Sequence, residues 1–539
     1  MAAYGLTACG GDDKASETTV ANSSGPGSVP ATNAPPATSG STERQTILAS
    51  LDTSVDLIDP QAFRTFGAQT VTGSLYPALL TQKFEADGEG GYVGLAEYEP
   101  GVAESIELSD DRMTATFTLR SDAAFADGSL VTVDDVMWTF ERSILGPGYI
   151  KALLPFIGIK SMDQITADAA TNTVVFKPSV ASPLFERFIA LQAFGIMQKS
   201  LGEANATAED EWAFAYFREH AAGAGAYKVK SYDRDTEISL VPNPEFYGAA
   251  DVANAGITIR NVPDPDQRAL LLRSGDLDLV QGIPPQQLAD LEKDTNLTVH
   301  REPSISTNFL GMNATIAPFT DVAVRQAVAA AIPYDVLISE VMQGYASPAG
   351  NLVVANMDTH AGIVFETDTE AAKKLLDGVD LPDSIPLSVK QSSARDQRSA
   401  VFIQDSLREI GINVDIQILP DAQFVENLNG KTLAMFIHEW LSWGGDPYYQ
   451  MQFLAGTGVF TNFVSYSNPD LDALLSEGLF ELDANRRAEL SAQAQQILHD
   501  DAPIAPLFSP DWIVVSRSNV TGISKGDDEK MRFDLVRKS

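Results

Sequence analysis

At 539 residues the chain is too long for one compact core, so two or three lobes are expected, and its 44% hydrophobic and 20% charged residues suit a globular protein. Asp and Glu total 73 against 37 Lys and Arg, a net charge of −36 that repels phosphate backbones and argues against a nucleic-acid partner. No run of about 18 apolar residues occurs, and the single cysteine, Cys9, excludes an intramolecular disulfide or a cysteine-based metal cluster.

Leu6-Thr7-Ala8-Cys9 resembles the lipobox of bacterial lipoproteins and is followed by the small, polar Gly10-Gly11-Asp12-Asp13. Residues 1–9 are therefore expected to be a residual lipoprotein signal, with Cys9 the lipidated residue. The stretch before Cys9 is too short for the charged and apolar regions of a signal peptide, so the start reads as truncated or mis-assigned. Residues 10–43 are rich in Ser, Thr, Ala, Gly and Pro. Such a composition cannot bury enough apolar surface to offset chain entropy, which predicts a disordered tether.

From Gln45 the texture is that of folded protein. Met113, Ala115, Phe117 and Leu119 alternate with threonines, the pattern of a half-buried strand. Asp264-Pro265 opens a helix over Gln267 to Arg273 that Gly275 closes, and Leu277 to Val280 reads as a strand. Asp321 can cap a helix carrying Val324, Ala327, Val328 and Ala331. Ile403, Leu407 and Ile410 share a helical face ended by Gly411, before the alternating Val414, Ile416 and Ile418. Leu471, Leu474 and Leu475, then Leu490, Ala494 and Ile497, mark two more amphipathic helices. Helices and strands intermix throughout, so the class is α/β with several sheets.

Catalytic signatures fail one by one. Gly430-Lys431-Thr432 lacks the first glycine of a phosphate loop, since Val425 stands there. His438-Glu439 lacks the second histidine of a zinc helix, because Ser442 occupies its place. The histidines at 220, 300, 360, 438 and 499 show no metal-ligand spacing, and His438 reads as a packed or pocket-lining residue. No enzyme, cofactor or resident metal is indicated.

A series of short blocks resembles the peptide/nickel-type extracellular solute-binding proteins of ABC importers. Leu57-Ile58-Asp59-Pro60 and Leu75-Tyr76-Pro77-Ala78-Leu79-Leu80 open the series. Phe125-Ala126-Asp127-Gly128-Ser129 and Val133-Asp134-Asp135-Val136 follow, then Gly223-Ala224-Gly225-Ala226-Tyr227 and Asn243-Pro244-Glu245-Phe246-Tyr247. Ser274-Gly275-Asp276-Leu277-Asp278 and Pro503-Ile504-Ala505-Pro506-Leu507 come later. The resemblance implies a two-lobed periplasmic-binding-protein-like fold of type II with an additional N-terminal-side subdomain. Lobe I takes residues 44–85, 225–305 and 505–539, the inserted subdomain 86–224, and lobe II 306–504. It also implies a monomer, lipid-anchored to the outer face of the plasma membrane, that hands peptides to a permease and ATPase complex. Oligosaccharides are the alternative cargo.

Contacts follow from the same resemblance. Trp443-Gly444-Gly445-Asp446 matches the segment in which an Asp meets a peptide's ammonium group, although Asp446 also suits a turn before Pro447. A cation about 56 residues earlier holds the carboxylate, which selects Lys390, with Arg395 as the alternative and a solvated surface lysine as the bland reading. Trp440, Trp443, Tyr448 and Tyr449 form an aromatic cluster that can wall a pocket or pack as core. Phe63, Arg64, Asn308 and Phe309 lie where the family approaches its ligand.

Overall fold

The computed structural model describes residues 44–62, 65–443 and 445–539. Cys9, the stretch 10–43, Phe63, Arg64 and Gly444 lie outside the described residues.

A seven-stranded sheet runs in the order Leu297–Glu302, Trp512–Arg517, Leu279–Gln281, Thr46–Ser50, Gly256–Arg260, Glu237–Pro242 and Tyr227–Asp233. Its middle strand, Thr46–Ser50, is parallel to both neighbours, and its Ile47 and Ala49 are fully buried. A six-stranded sheet runs Ala346–Ser347, Ile504–Pro510, Ser306–Met312, Met435–Leu441, Ile385–Lys390 and Val414–Leu419. Two of its strands, Ser306–Met312 and Ile504–Pro510, are buried at every residue, as strands covered on both faces must be.

The chain passes between the sheets twice, from Glu302 to Ser306 and from Pro510 to Trp512. The Ser509 hydroxyl donates to the Ser304 carbonyl at 2.9 Å, and Arg301 pairs with Asp511 at 2.5 Å, tying the joints together. Two short adjacent connections between packed bodies make a hinge. The return to the first sheet falls at Asp511 rather than near 505, because Ile504–Pro510 pairs with Ser306–Met312 deep in the second sheet.

Between Leu80 and Gly223 the chain builds a four-stranded antiparallel sheet, ordered Ala103–Leu108, Ala115–Leu119, Thr173–Phe176 and Ile165–Asp168. Ala115, Phe117 and Leu119 are buried while Thr116 and Thr118 are half-buried, the alternation expected of this segment. Helix Val133–Leu145 covers the sheet, and Phe140 meets Phe176 edge-on at 4.9 Å. Its start is a capping box, with the Thr132 N–H donating to Asp135 at 2.9 Å.

One buried ion pair fastens this subdomain to the first lobe. Arg142 Nη2 lies 2.5 Å from Asp59 Oδ2, and both side chains have no accessible surface. Arg142 also donates to Gln61 Oε1 at 3.0 Å and the Trp212 carbonyl at 2.9 Å, and its guanidinium sits 3.7 Å from the Phe214 ring centre. Asp59 of the Leu-Ile-Asp-Pro block is thus a structural anchor. The Gly223-Ala224-Gly225 block has an equally plain cause: a Cβ on Gly223 would lie 1.9 Å from the Leu75 carbonyl oxygen.

Helix starts follow the residues that announce them. Asp264 accepts from the Asp266 and Gln267 amides at 2.8 and 3.0 Å, Pro265 takes the first turn, and Gly275 closes the helix at φ +86°. Asp321 caps Val322–Ala331 in the same way. No single helix among the described residues is long and apolar enough to cross a membrane.

Candidate functional site

Past its middle strand the first sheet continues as Leu51-Asp52-Thr53, while Ile385–Lys390 and Met435–Leu441 of the second sheet end at Lys390 and Trp440-Leu441. Open α/β sheets place ligands beyond the carboxyl ends of such strands. Arg395 and Glu439 keep 24% and 33% of their side-chain surface accessible, yet loss of hydration is the leading influence on both groups. Asp52 is exposed in area, and loss of hydration pushes its carboxyl up, with the Thr53 amide opposing and the Glu439 charge reinforcing the rise. The Glu439 charge on the second sheet acts on Asp52 of the first, so the ends of these strands face one another beside the two joints, where small-molecule sites commonly lie.

Aromatic contacts close one side. Trp443 lies 5.9 Å from Tyr149 between ring centres, and Phe453 stacks on Phe156 at 5.3 Å with planes 8° apart. These pairs join Trp443 and the following helix, Pro447–Ala455, to the inserted subdomain.

The polar floor is built at the start of helix Ala394–Glu409. Arg395 donates to Glu439 at 2.6 Å and to Asp396 at 3.1 Å, Ser306 donates to Glu439 at 2.7 Å, and Asn308 donates to Asp396 at 3.1 Å. Burial alone would raise the Glu439 carboxyl, but the adjacent Arg395 guanidinium outweighs it and holds the group below its ordinary value. His438 sits among Phe309, Phe424 and Phe463, with ring centres 5.8, 6.3 and 5.7 Å away. Loss of hydration, then the charge of Lys390, pushes the imidazole down to about 3, so it is neutral at ordinary pH. Among the described residues no three His, Cys, Asp or Glu side chains converge as metal ligands.

Lys390 and Arg395 prove different. Arg395 is engaged by two carboxylates. The Lys390 ammonium lies 5.5 Å from the Phe424 ring centre and has no ion pair or hydrogen bond among the described residues. Trp440 is half-buried and stacks on Phe453 at 5.9 Å, and its buried indole N–H has no hydrogen-bond partner among the described residues.

Four expected contacts are corrected by burial. Asp446 is 2% exposed. One of its oxygens accepts from the Tyr448 and Tyr449 amides at 2.9 and 3.0 Å, capping helix Pro447–Ala455, and the other pairs with Arg487 at 2.6 Å. Tyr448 is fully buried, packed on Gly478, with its hydroxyl donating to the Arg487 carbonyl. Asn308 and Phe309 are also buried, opposite Glu439 and His438 in the strand register. None of the four presents surface to a ligand. Tyr449 is buried as well, 4.6 Å from Phe453. Asp52, Glu439 and Ser306 escaped the sequence reading. Asp52 carried one usable signal, its place directly after the first strand.

Comparison with known proteins then bears on the whole chain. Residues 97–462 match the family described as bacterial extracellular solute-binding proteins, family 5 Middle. The probable D,D-dipeptide-binding periplasmic protein DdpA of Escherichia coli (strain K12) is 26% identical over 472 residues, covering 86% of this chain and 88% of the relative. The probable di/tripeptide-binding protein 5 of Pseudomonas aeruginosa (strain UCBPP-PA14) is 25% identical over 502 residues, covering 87% and 92%. Among solved structures, the periplasmic binding protein DppA of Helicobacter pylori in complex with the peptide STSA superposes with a TM-score of 0.80 at 24% identity, covering 92% of this chain and 98% of that one. The fold is the two-lobed α/β fold of type II periplasmic binding proteins. With more than half of its length matched, the chain belongs to the bacterial extracellular solute-binding proteins of family 5.

Proposed function

We propose that this protein captures di- to oligopeptides outside the cytoplasm and delivers them to the permease and ATPase complex of an ABC importer. The observation that carries the reading is a pair of sheets joined only by short connections at residues 303–305 and 511, with the charged strand ends at Asp52 and Glu439 close enough to act on each other. Membership of family 5 and the relatives named for dipeptides support the cargo class.

Hinged lobes recognise a solute by linkage. A ligand that touches both lobes only when they meet favours the closed form, and the importer reads that form. Moving the lobes from 1:99 to 99:1 closed requires about 5.5 kcal/mol of differential binding. Lys390 takes the peptide carboxylate, because an enclosed carboxylate needs a counter-charge and this ammonium has no ion pair among the described residues. Trp440 and Trp443 wall the peptide's side chains. Segments 44–85, 225–305 and the tail after Asp511 form lobe I, 86–224 the inserted subdomain and 306–510 lobe II. A monomer lipidated at Cys9 and tethered by residues 10–43 keeps the lobes at the outer membrane face. The reading is of a binding protein rather than an enzyme.

Titration calorimetry with di-, tri- and longer peptides beside xylo- and cello-oligosaccharides tests the cargo. Binding of peptides alone is expected. Binding of saccharides alone would replace this reading.

A further inference from the structure

Of four carboxylates in this region, three are committed within the protein. Asp396 accepts from Arg395 and Asn308. Asp446 caps a helix and pairs with Arg487. Glu439 is held by Arg395 and Ser306. Asp52 differs. Its Oδ1 accepts from the Thr53 N–H at 2.8 Å, and the carboxylate has no other partner among the described residues.

The cations near Asp52 direct their hydrogen bonds to backbone carbonyls and not to its carboxylate. Arg268 donates to the carbonyls of Leu51, Asp52 and Gly282 at 2.7, 3.2 and 3.0 Å. Lys530 donates to the Asp528 carbonyl at 2.8 Å and lies 5.1 Å from the Phe66 ring centre. Glu439, on the other lobe, adds a like charge. The loop is also held in place: Gly282 packs so closely that a Cβ there, at φ +67°, would lie 3.0 Å from both Cα and Cβ of Asp52. The carboxylate is therefore fixed just past the end of the central strand, accessible and outside any ion pair among the described residues, with Arg268 and Lys530 acting on it only from a distance.

Lys390 is the counterpart of opposite sign on the second lobe. We infer that Asp52 receives the ligand's ammonium group while Lys390 holds its carboxylate, so that a zwitterion is gripped by one free charge on each lobe. This assignment rests on the peptide reading above and moves amine recognition from Asp446 to the other lobe. A ligand with one charged end satisfies one lobe only, so the arrangement selects for peptides with both termini free.

The test is calorimetry with di- and trialanine and their N-acetyl forms on the full chain and its variants. Acetylation is expected to weaken binding to the unaltered protein by about ten- to a hundredfold, the range for a hydrogen bond to a charged group. Asp52→Asn is expected to lose the same factor for the free amines and nothing for the acetylated forms. Asp446→Asn, which keeps the cap oxygen, is expected to retain the acetylation effect. Equal losses for both ligand forms in Asp52→Asn, no loss in either, or an acetylation effect abolished by Asp446→Asn would overturn the assignment. Peptides that bind the unaltered protein regardless of acetylation sink this inference alone. Peptides that do not bind it at all sink the peptide reading and this inference together.

Discussion

Replacing Asp59 by Ala removes half of an ion pair that has no access to water. The Arg142 guanidinium would lose both bonds to Asp59, at 3.0 and 2.5 Å, and keep those to Gln61 Oε1 and the Trp212 carbonyl. Two neutral acceptors do not neutralise a buried cation, so the loss is set by the stranded charge, roughly 3–5 kcal/mol. A folded body of roughly 500 residues carries an unfolding entropy of about 1 kcal/mol per kelvin, so one cooperative transition would fall by roughly 3–5 °C. If the inserted subdomain melts by itself, with about a quarter of the residues, its own transition would fall by roughly 10–17 °C. Scanning calorimetry separates these cases. The double variant Asp59→Leu/Arg142→Met, which removes both charges, is expected to recover most of the loss. A shift below about 1 °C in Asp59→Ala, or a double variant no better than the single one, would refute the argument that an uncompensated charge sets the size of the effect.

Other expectations are read in solution. Lys390→Met is expected to weaken a dipeptide by about tenfold or more while leaving its C-terminal amide unaffected, since only the carboxylate uses the ammonium; calorimetry on the ligand pair checks this. His438 titrates near 3 in the folded protein and near 6.5 unfolded. As pH falls from about 6.5 toward 3, the unfolded chain therefore gains a proton that the native state refuses, and stability drops by up to about 1.4 kcal/mol per unit. His438→Phe is expected to flatten this part of a plot of Tm against pH. Gly223→Ala forces a Cβ to 1.9 Å from the Leu75 oxygen, which already accepts from the Gly225 amide at 3.0 Å. Urea unfolding should show a loss of roughly 1–3 kcal/mol or more, whereas Gly73→Ala, whose Cβ meets nothing nearer than 3.9 Å inside a helix, should be neutral or stabilising by up to about 1 kcal/mol.

What was legible in the sequence is what local chemistry decides. Asp264-Pro265 and Gly275 bracket a helix because capping and φ restrictions act within a few residues. The alternation at 115–119 predicts a strand because one face meets a core. The return between lobes was misplaced by several residues, since nothing local tells which sheet Ile504–Pro510 joins; pairing with Ser306–Met312, about two hundred residues earlier, settles it. Asp446 failed as a contact for a similar reason. Its segment suits an ammonium site and a helix cap equally, and the decision comes from Arg487 on helix Ala484–Asp501, which no local pattern announces. Lys390 was legible only through the spacing of relatives. Its freedom from partners emerges when Arg395 and Glu439 are seen to satisfy each other.

Unpaired charges at the cleft bear on the empty state as much as on the bound one. When the lobes meet, Asp52 and Lys390 lose still more hydration, at a cost of several kcal/mol per ion that their mutual attraction across a peptide-sized gap recovers only in part. Closure without cargo is opposed by the same groups that a zwitterion satisfies, so both charges sharpen the distinction between loaded and empty protein. That distinction needs about 5.5 kcal/mol to be nearly complete, and two charged contacts at roughly 1.5–3 kcal/mol each supply much of it. The double variant Asp52→Asn/Lys390→Met is therefore expected to close more readily without ligand. Small-angle scattering should give it a smaller ligand-free radius of gyration than the unaltered protein, near the value the latter reaches with saturating peptide. A ligand-free radius equal to or larger than that of the unaltered protein would show that these charges do not hold the lobes apart.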